Sequence, residues 1–173
     1  MSDYKKDPDV ILEGAKTRYQ TNFSGRPTPF NPNGGRRTFN IELPEELALQ
    51  LSDDGWNIKK YEYSTDNGGA DIVYYTELVV NYAGYQPPKI WRVTSKSKIL
   101  LDEDSIDILD SDTIDYVDVV INPYHWNNVN GSGIKGYVRT MHVRIVDDPF
   151  EEKYADIPER DSAEPRWFAE DED

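Results

Sequence analysis

Gly133-Ile134-Lys135-Gly136-Tyr137-Val138-Arg139-Thr140-Met141-His142-Val143-Arg144-Ile145 is the segment from which the fold can be argued. A β-strand sends alternate side chains to opposite faces. Ile134 and Val138 share one parity, whereas Met141, Val143 and Ile145 share the other. An uninterrupted strand would turn one of these two groups to solvent. One extra residue near Arg139–Thr140 would bring both onto a single face, so a β-bulge or sharp bend is expected there. Small closed barrels need such corners and flat sheets do not. The expectation is a mainly β chain built on a Greek-key barrel of about five strands.

The rest of the body agrees. It is rich in Val, Ile, Tyr, Thr and Trp, which suit a pleated, half-buried surface. Strands are expected over Val10–Thr21, Arg37–Glu42, Trp56–Tyr63, Ile72–Tyr82, Ile90–Thr94, Val117–Ile121 and Ile134–Val146. Asn33-Gly34-Gly35, Asn67-Gly68-Gly69, Pro87-Pro88 and Asn130-Gly131-Ser132-Gly133 mark turns between them. The last joins two strand-like runs into an extra hairpin, with a loop of about ten residues. Pro44 suits the first position of a helix, Glu45 and Glu46 its positive end, and Gly55 its left-handed stop. A second short helix is expected over Asp102–Leu109, capped by Asp102. The organisation expected is a flexible N-terminus (1–9), one domain (10–150) and a disordered acidic tail (151–173).

The formal net charge is −14, unevenly placed. Residues 1–101 carry 13 bases and 13 acids. Residues 102–118 carry eight acids and no base, residues 119–146 three bases and no acid, and residues 147–173 twelve acids and three bases. A neutral-to-basic body thus precedes an acidic tail. Phosphate responds to the local field within a Debye length of about 8–10 Å, so the overall acidity does not exclude a nucleic-acid binder. There is no cysteine, which removes disulfides and thiol chemistry, and no apolar run long enough for a membrane helix. The N-terminus has no apolar core of a signal peptide, so an intracellular protein is expected.

Catalytic signals are sparse. The two histidines, His125 and His142, fall on different arms of the expected hairpin, and no phosphate-binding loop, nucleophile elbow or paired metal histidines occur. Asp102-Glu103-Asp104-Ser105-Ile106-Asp107 lacks the central Gly and closing Glu of a calcium loop and is expected to be a solvated acidic face. No enzyme activity, cofactor or metal is expected.

Aromatic residues interleaved with bases form the stronger pattern. Single-stranded nucleic acid needs this chemistry: bases stack on aromatic faces while Lys and Arg follow the phosphates. Candidate contacts are Lys16, Arg18 and Tyr19; Arg36 and Arg37; Lys59; Trp91, Arg92, Lys96 and Lys98; Tyr124 and Trp126; and Lys135, Tyr137 and Arg139. Period 2 puts Lys135, Tyr137 and Arg139 on one face, opposite Val138. Phe39, Trp56 and Tyr116 are assigned to the core, and Tyr124, Trp126 and Tyr137 to an exposed surface. In the tail, Trp167 and Phe168 beside Glu170, Asp171, Glu172 and Asp173 could dock on a basic, apolar groove of a partner, or simply solubilise.

Asn22-Phe23-Ser24-Gly25, Phe30-Asn31, Gly35-Arg36-Arg37-Thr38-Phe39, Gly55-Trp56-Asn57-Ile58-Lys59, Pro87-Pro88-Lys89-Ile90, Leu100-Leu101-Asp102-Glu103 and the segment Gly133 to Met141 occur in that order. Together they resemble a family of bacteriophage single-stranded DNA-binding proteins, over about Val10 to Tyr154. The resemblance implies an oligonucleotide/oligosaccharide-binding (OB) barrel and a non-enzymatic role in phage DNA replication or recombination in the host cytoplasm. It also implies single-stranded DNA as partner, with replication or recombination proteins recruited through the acidic tail and room for a homo-oligomer. Two readings compete: a phage structural or carbohydrate-binding β module, and an acidic DNA mimic using residues 102–118.

Overall fold

The computed structural model describes residues 7–147 together with 150, 153, 154 and 156–158. Among the described residues nine strands form one sheet: β1 (Val10–Ala15), β2 (Thr17–Asn22), β3 (Arg37–Leu43), β4 (Lys59–Ser64), β5 (Ala70–Val80), β6 (Lys89–Val93), β7 (Lys98–Leu101), β8 (Ile114–Asn128) and β9 (Gly131–Ile145). Helix α1 (Glu45–Asp54) lies between β3 and β4, and a short 3-10 helix, Ile106–Asp110, precedes β8.

The expected strand Val10–Thr21 is two strands. Gly14 takes a left-handed φ of 63°, donates its N–H to Asp118, and lets the chain bend. β1 pairs with β8, while β2 pairs with β3. The Lys16 carbonyl at the bend accepts the Glu42 N–H at 2.8 Å. The sheet runs β1-β8-β9-β5-β3-β2. Because β1 and β2 are one bent run of chain, this order returns to its start as a five-membered curl. Two hairpin elements are appended: β4 on β5, and β6–β7 on the last part of β9. The expected barrel is present, enlarged by β4, which overlaps the expected strand Trp56–Tyr63, and by β7, which was not expected.

The bulge lies where the parity argument placed it. Val120 pairs with Thr140 and Ile121 with Val138, which leaves Arg139 as the extra residue. Ile134 and Val138 before it, and Met141, Val143 and Ile145 after it, are all buried. The hairpin differs from expectation. β8 and β9 pair without a break to Asn128 and Gly131, leaving only Val129-Asn130 as the turn. Polar residues of Tyr124–Asn128 suggest a loop, but they form a ladder that projects beyond the core. Pro123 is tolerated there because β1 starts opposite Ile121 and no longer occupies that edge.

The core joins Phe23, Phe39, Ile41, Leu78, Ile90, Val117, Ile121 and Met141. Helix α1 stops at Gly55 (φ 113°), and Trp56 follows it into the core, 6% exposed. A Cβ at Gly136 would lie 2.7 Å from both Trp56 Cζ3 and Leu78 Cδ2, so glycine lets these side chains pack against β9. Phe39 and Trp56 are core as expected, while Tyr116 is half-buried. The Asp102 carboxylate accepts the Asp104 and Ser105 N–H groups and caps a turn, and the helix after it is 3-10 rather than α.

Asp102, Glu103, Asp104 and Asp107 are exposed, as expected of a solvated acidic face, whereas the acids that follow them are engaged within the chain. Asp110 accepts from the Thr21 hydroxyl and the Phe23 and Ser24 N–H groups at 2.7–2.8 Å. Asp112 forks onto Arg92, Asp115 pairs with Lys16, and Asp118 caps Gly14. Acids in and just before β8 thus tie this stretch to strands distant in sequence. The expected tail contacts Trp167, Phe168, Glu170, Asp171, Glu172 and Asp173 lie outside the described residues. Among the described residues, no helix is long and apolar enough to cross a membrane.

Candidate nucleic-acid interface

Register assembles one face from six strands, β2, β3, β4, β5, β8 and β9. Residues opposite each other in a ladder share a face, and every second residue along a strand joins them. Phe39 and Leu78 pair on the buried side, as do Leu78 and Gly136. The other side carries Val79 beside Tyr137, Lys135 beside Tyr124, and Gly133 beside Trp126. It continues through Glu77 and Asn40 to Arg18, and through Tyr75 to Lys59 and Val73 to Tyr61.

Two aromatic groups stand at opposite ends of this face. At the β8–β9 end, the Tyr124 and Tyr137 rings meet edge to face, 5.5 Å apart. The Trp126 indole lies so close over Gly133 that a Cβ there would be 2.9 Å away. With Arg36, Arg37, Val79 and Lys135 these three rings line an open pocket of about 360 Å³. At the β2–β4 end, the Arg18 guanidinium sits 5.0 Å from the Tyr61 ring centre and 5.1 Å from that of Tyr19. Tyr19 and Tyr75 pack edge to face at 5.3 Å, and Tyr61 stacks toward Tyr63 at 6.4 Å. Tyr19 holds a φ of 61°, a region that side chains other than glycine rarely occupy. A hydrogen bond from Arg18 lowers the Tyr19 phenol from its ordinary range, and the bond to Tyr19 raises Tyr75.

Between the two groups lies Glu77. One of its carboxylate oxygens accepts from Lys135 Nζ at 2.8 Å and from the Arg36 guanidinium at 3.2 Å. Burial pushes this carboxyl up, but the Lys135 hydrogen bond and the charges of Lys135, Arg36 and Lys59 outweigh it and hold it below its usual range.

The structure thus brings Arg18, Tyr19, Arg36, Arg37, Lys59, Tyr124, Trp126, Lys135 and Tyr137 to this face or its rim. Arg37 leans on the Tyr82 ring and pairs with Glu103 at 3.8 Å. Tyr124 is exposed, whereas Trp126 and Tyr137 are half-buried. Other expected contacts lie elsewhere. Lys16 sits at the barrel closure, donating to the Asp115 carbonyl at 2.7 Å. Arg139 occupies the bulge and pairs with Asp9 at 2.8 Å. Arg92 is held by Asp112 in a two-point fork. Trp91 and Lys98 form a separate patch beyond the bulge, where Trp91 stacks on His142 at 4.8 Å under the Lys98 ammonium. Lys96 is exposed in the adjoining β6–β7 turn.

Tyr75 and Glu77 were missed in the sequence. In β5 both parities carry a tyrosine and a valine, Tyr74 and Tyr75, Val79 and Val80, so alternation alone does not say which side faces out.

A model of the phage ssDNA-binding domain family matches residues 1–170. None of the curated proteins matches the sequence. Among solved structures, the chain is similar to the C-terminally truncated single-stranded DNA-binding protein from bacteriophage Enc34. That pair is 13% identical, covers 87% of this chain and 100% of the other, and superposes with a TM-score of 0.50. The Enc34 protein in complex with ssDNA is also 13% identical, with 83% of this chain and 89% of that chain covered and a TM-score of 0.46. The single-stranded DNA-binding protein gp2.5 of bacteriophage T7 is 12% identical, over 93% and 98% of the two chains, with a TM-score of 0.38. The first of these likenesses is one of fold.

Proposed function

The chain belongs to the phage ssDNA-binding domain family, and on that premise we propose that single-stranded DNA lies across the sheet face between the two aromatic groups. Bases stack on Trp126, Tyr124 and Tyr137 at one end and on Tyr19, Tyr61 and Tyr75 at the other. Arg36, Lys59, Lys135 and Arg18 follow the phosphates. One observation carries this placement: strand register puts Tyr61, Tyr75, Tyr124, Trp126 and Tyr137 on one face with Arg18, Lys59 and Lys135, and Arg36 reaches it by pairing with Glu77. Stacking is indifferent to base identity, since every base has a π-face, so binding is largely independent of sequence. The protein acts by binding alone, in phage DNA replication or recombination within the host cytoplasm. The acidic tail is the part suited to recruiting partner proteins. The DNA-mimic alternative has less footing, because four of the eight acids of residues 102–118, namely Asp110, Asp112, Asp115 and Asp118, are engaged in contacts within the chain.

Fluorescence polarisation with a labelled oligo-dT, at two salt concentrations and against a duplex competitor, tests the proposal. Tight, salt-sensitive binding of the single strand, in the absence of magnesium or nucleotide, is expected. Equal affinity for duplex and single strand, or no binding of either at low salt, would overturn it.

A further inference from the structure

An acid at the centre of a DNA-binding face calls for a physical account. Glu77 projects from β5 midway between the two aromatic groups. Lys135 and Arg36 converge on the same carboxylate oxygen, at 2.8 and 3.2 Å. Lys59 extends from β4 on the same face, opposite Tyr75 and one pleat from Glu77. Cations converging on one anionic oxygen serve a phosphate as well as a carboxylate. Here the oxygen belongs to a carboxylate of the chain itself.

We infer that Glu77 is a built-in counter-ion for Arg36 and Lys135, and that it limits how many DNA phosphates the face neutralises. This rests on the reading of the face given above. A phosphate that approaches Lys135 or Arg36 shares each cation with Glu77 and meets its negative charge at close range. Fewer salt counter-ions are then released from the DNA than the number of cations on the face would imply. Affinity is held down at low salt, and its salt dependence is made shallower. Such a brake suits a protein that has to coat a strand and also be displaced from it.

The test is the salt dependence of oligo-dT binding by the full chain carrying Glu77→Gln, which keeps the shape and removes the charge. If one more phosphate becomes neutralised, the log–log salt slope steepens by about 0.7. The variant binds more tightly at low salt, and its advantage shrinks about fivefold for each tenfold rise in salt. Asp53→Asn, on the exposed side of α1, changes the net charge equally and is the control. A Glu77→Thr variant, neutral and suited to a strand, stands in if the glutamine variant does not fold. A slope and affinity equal to wild type, weaker binding, or the same gain in Asp53→Asn would overturn the counter-ion role. Failure of the wild type itself to bind oligo-dT would instead overturn the reading of the face, so the two failures are distinguishable.

Discussion

At the scale of single residues, the same glycine chemistry serves packing in the core at one position and a ring lying flat on the candidate face at another. Gly136 leaves room for Trp56 and Leu78, and Gly133 for the Trp126 indole. Gly136→Ala should lower stability by about 1–3 kcal/mol, the usual cost of overpacking a core, measured by urea denaturation. Trp126→Ala should leave the melting temperature close to wild type, because the indole lies on the projecting end of the hairpin. It should weaken oligo-dT binding by about 1–3 kcal/mol, the loss of one base stack. Asp110 shows the opposite kind of residue, an acid with a structural task. Burial pushes its carboxyl up, but hydrogen bonds from the Phe23 and Ser24 N–H groups and the Thr21 hydroxyl outweigh it and hold it below its ordinary value. A carboxyl lowered in the folded state stabilises fully above its unfolded value of about 3.9 and loses that contribution as pH falls through its lower, folded value. Asp110→Ala should therefore cost about 1–3 kcal/mol at neutral pH, where buried donors lose their acceptor. Denaturation midpoints of variant and wild type should converge as pH falls below that range.

Among the elements, β9 does the most. It pairs with β8 on one edge and with β5 and then β6 on the other, and the Arg139 bulge marks the handover. Before the bulge the outer side of β9 carries Lys135 and Tyr137; after it, His142 under Trp91. Deleting Arg139 would leave Val138, Met141, Val143 and Ile145 in simple alternation, with no phase error to correct. If the bulge served only to absorb that error, the deletion would be harmless. The curl needs the bend itself, so the deletion should destabilise the chain by about 1–3 kcal/mol, read from the urea midpoint. An unchanged midpoint would show that the barrel closes without it.

Over the whole molecule, charge is divided between a face that gathers cations and a C-terminal segment that gathers acids. Residues 155–173 hold eight acids and two bases. A tethered acidic segment competes with phosphate for nearby cations, because tethering raises its effective concentration. Removing these residues should raise oligo-dT affinity, most clearly at low salt, where screening is weakest. Equal affinity of full and shortened chains at low ionic strength would show that the segment does not reach the face. This division of charge was legible without coordinates, and so were the bulge at Arg139, the limits of α1 and the aromatic–basic character of the surface. Each rests on local chemistry: parity along one strand, Pro and Gly at helix ends, and a count of charges. Strand pairing alone decided the rest, because its partners are far apart in the chain. Val10–Thr21 divides at Gly14 because β8 and β3 claim its two halves. The acids from Asp110 to Asp118 find partners within the chain because Thr21, Arg92, Lys16 and Gly14 meet them. Tyr75 and Glu77 join the candidate site because β3 and β9 flank β5, and burial of Leu78 against Phe39 and Gly136 commits the alternate side chains of β5 to the outer face.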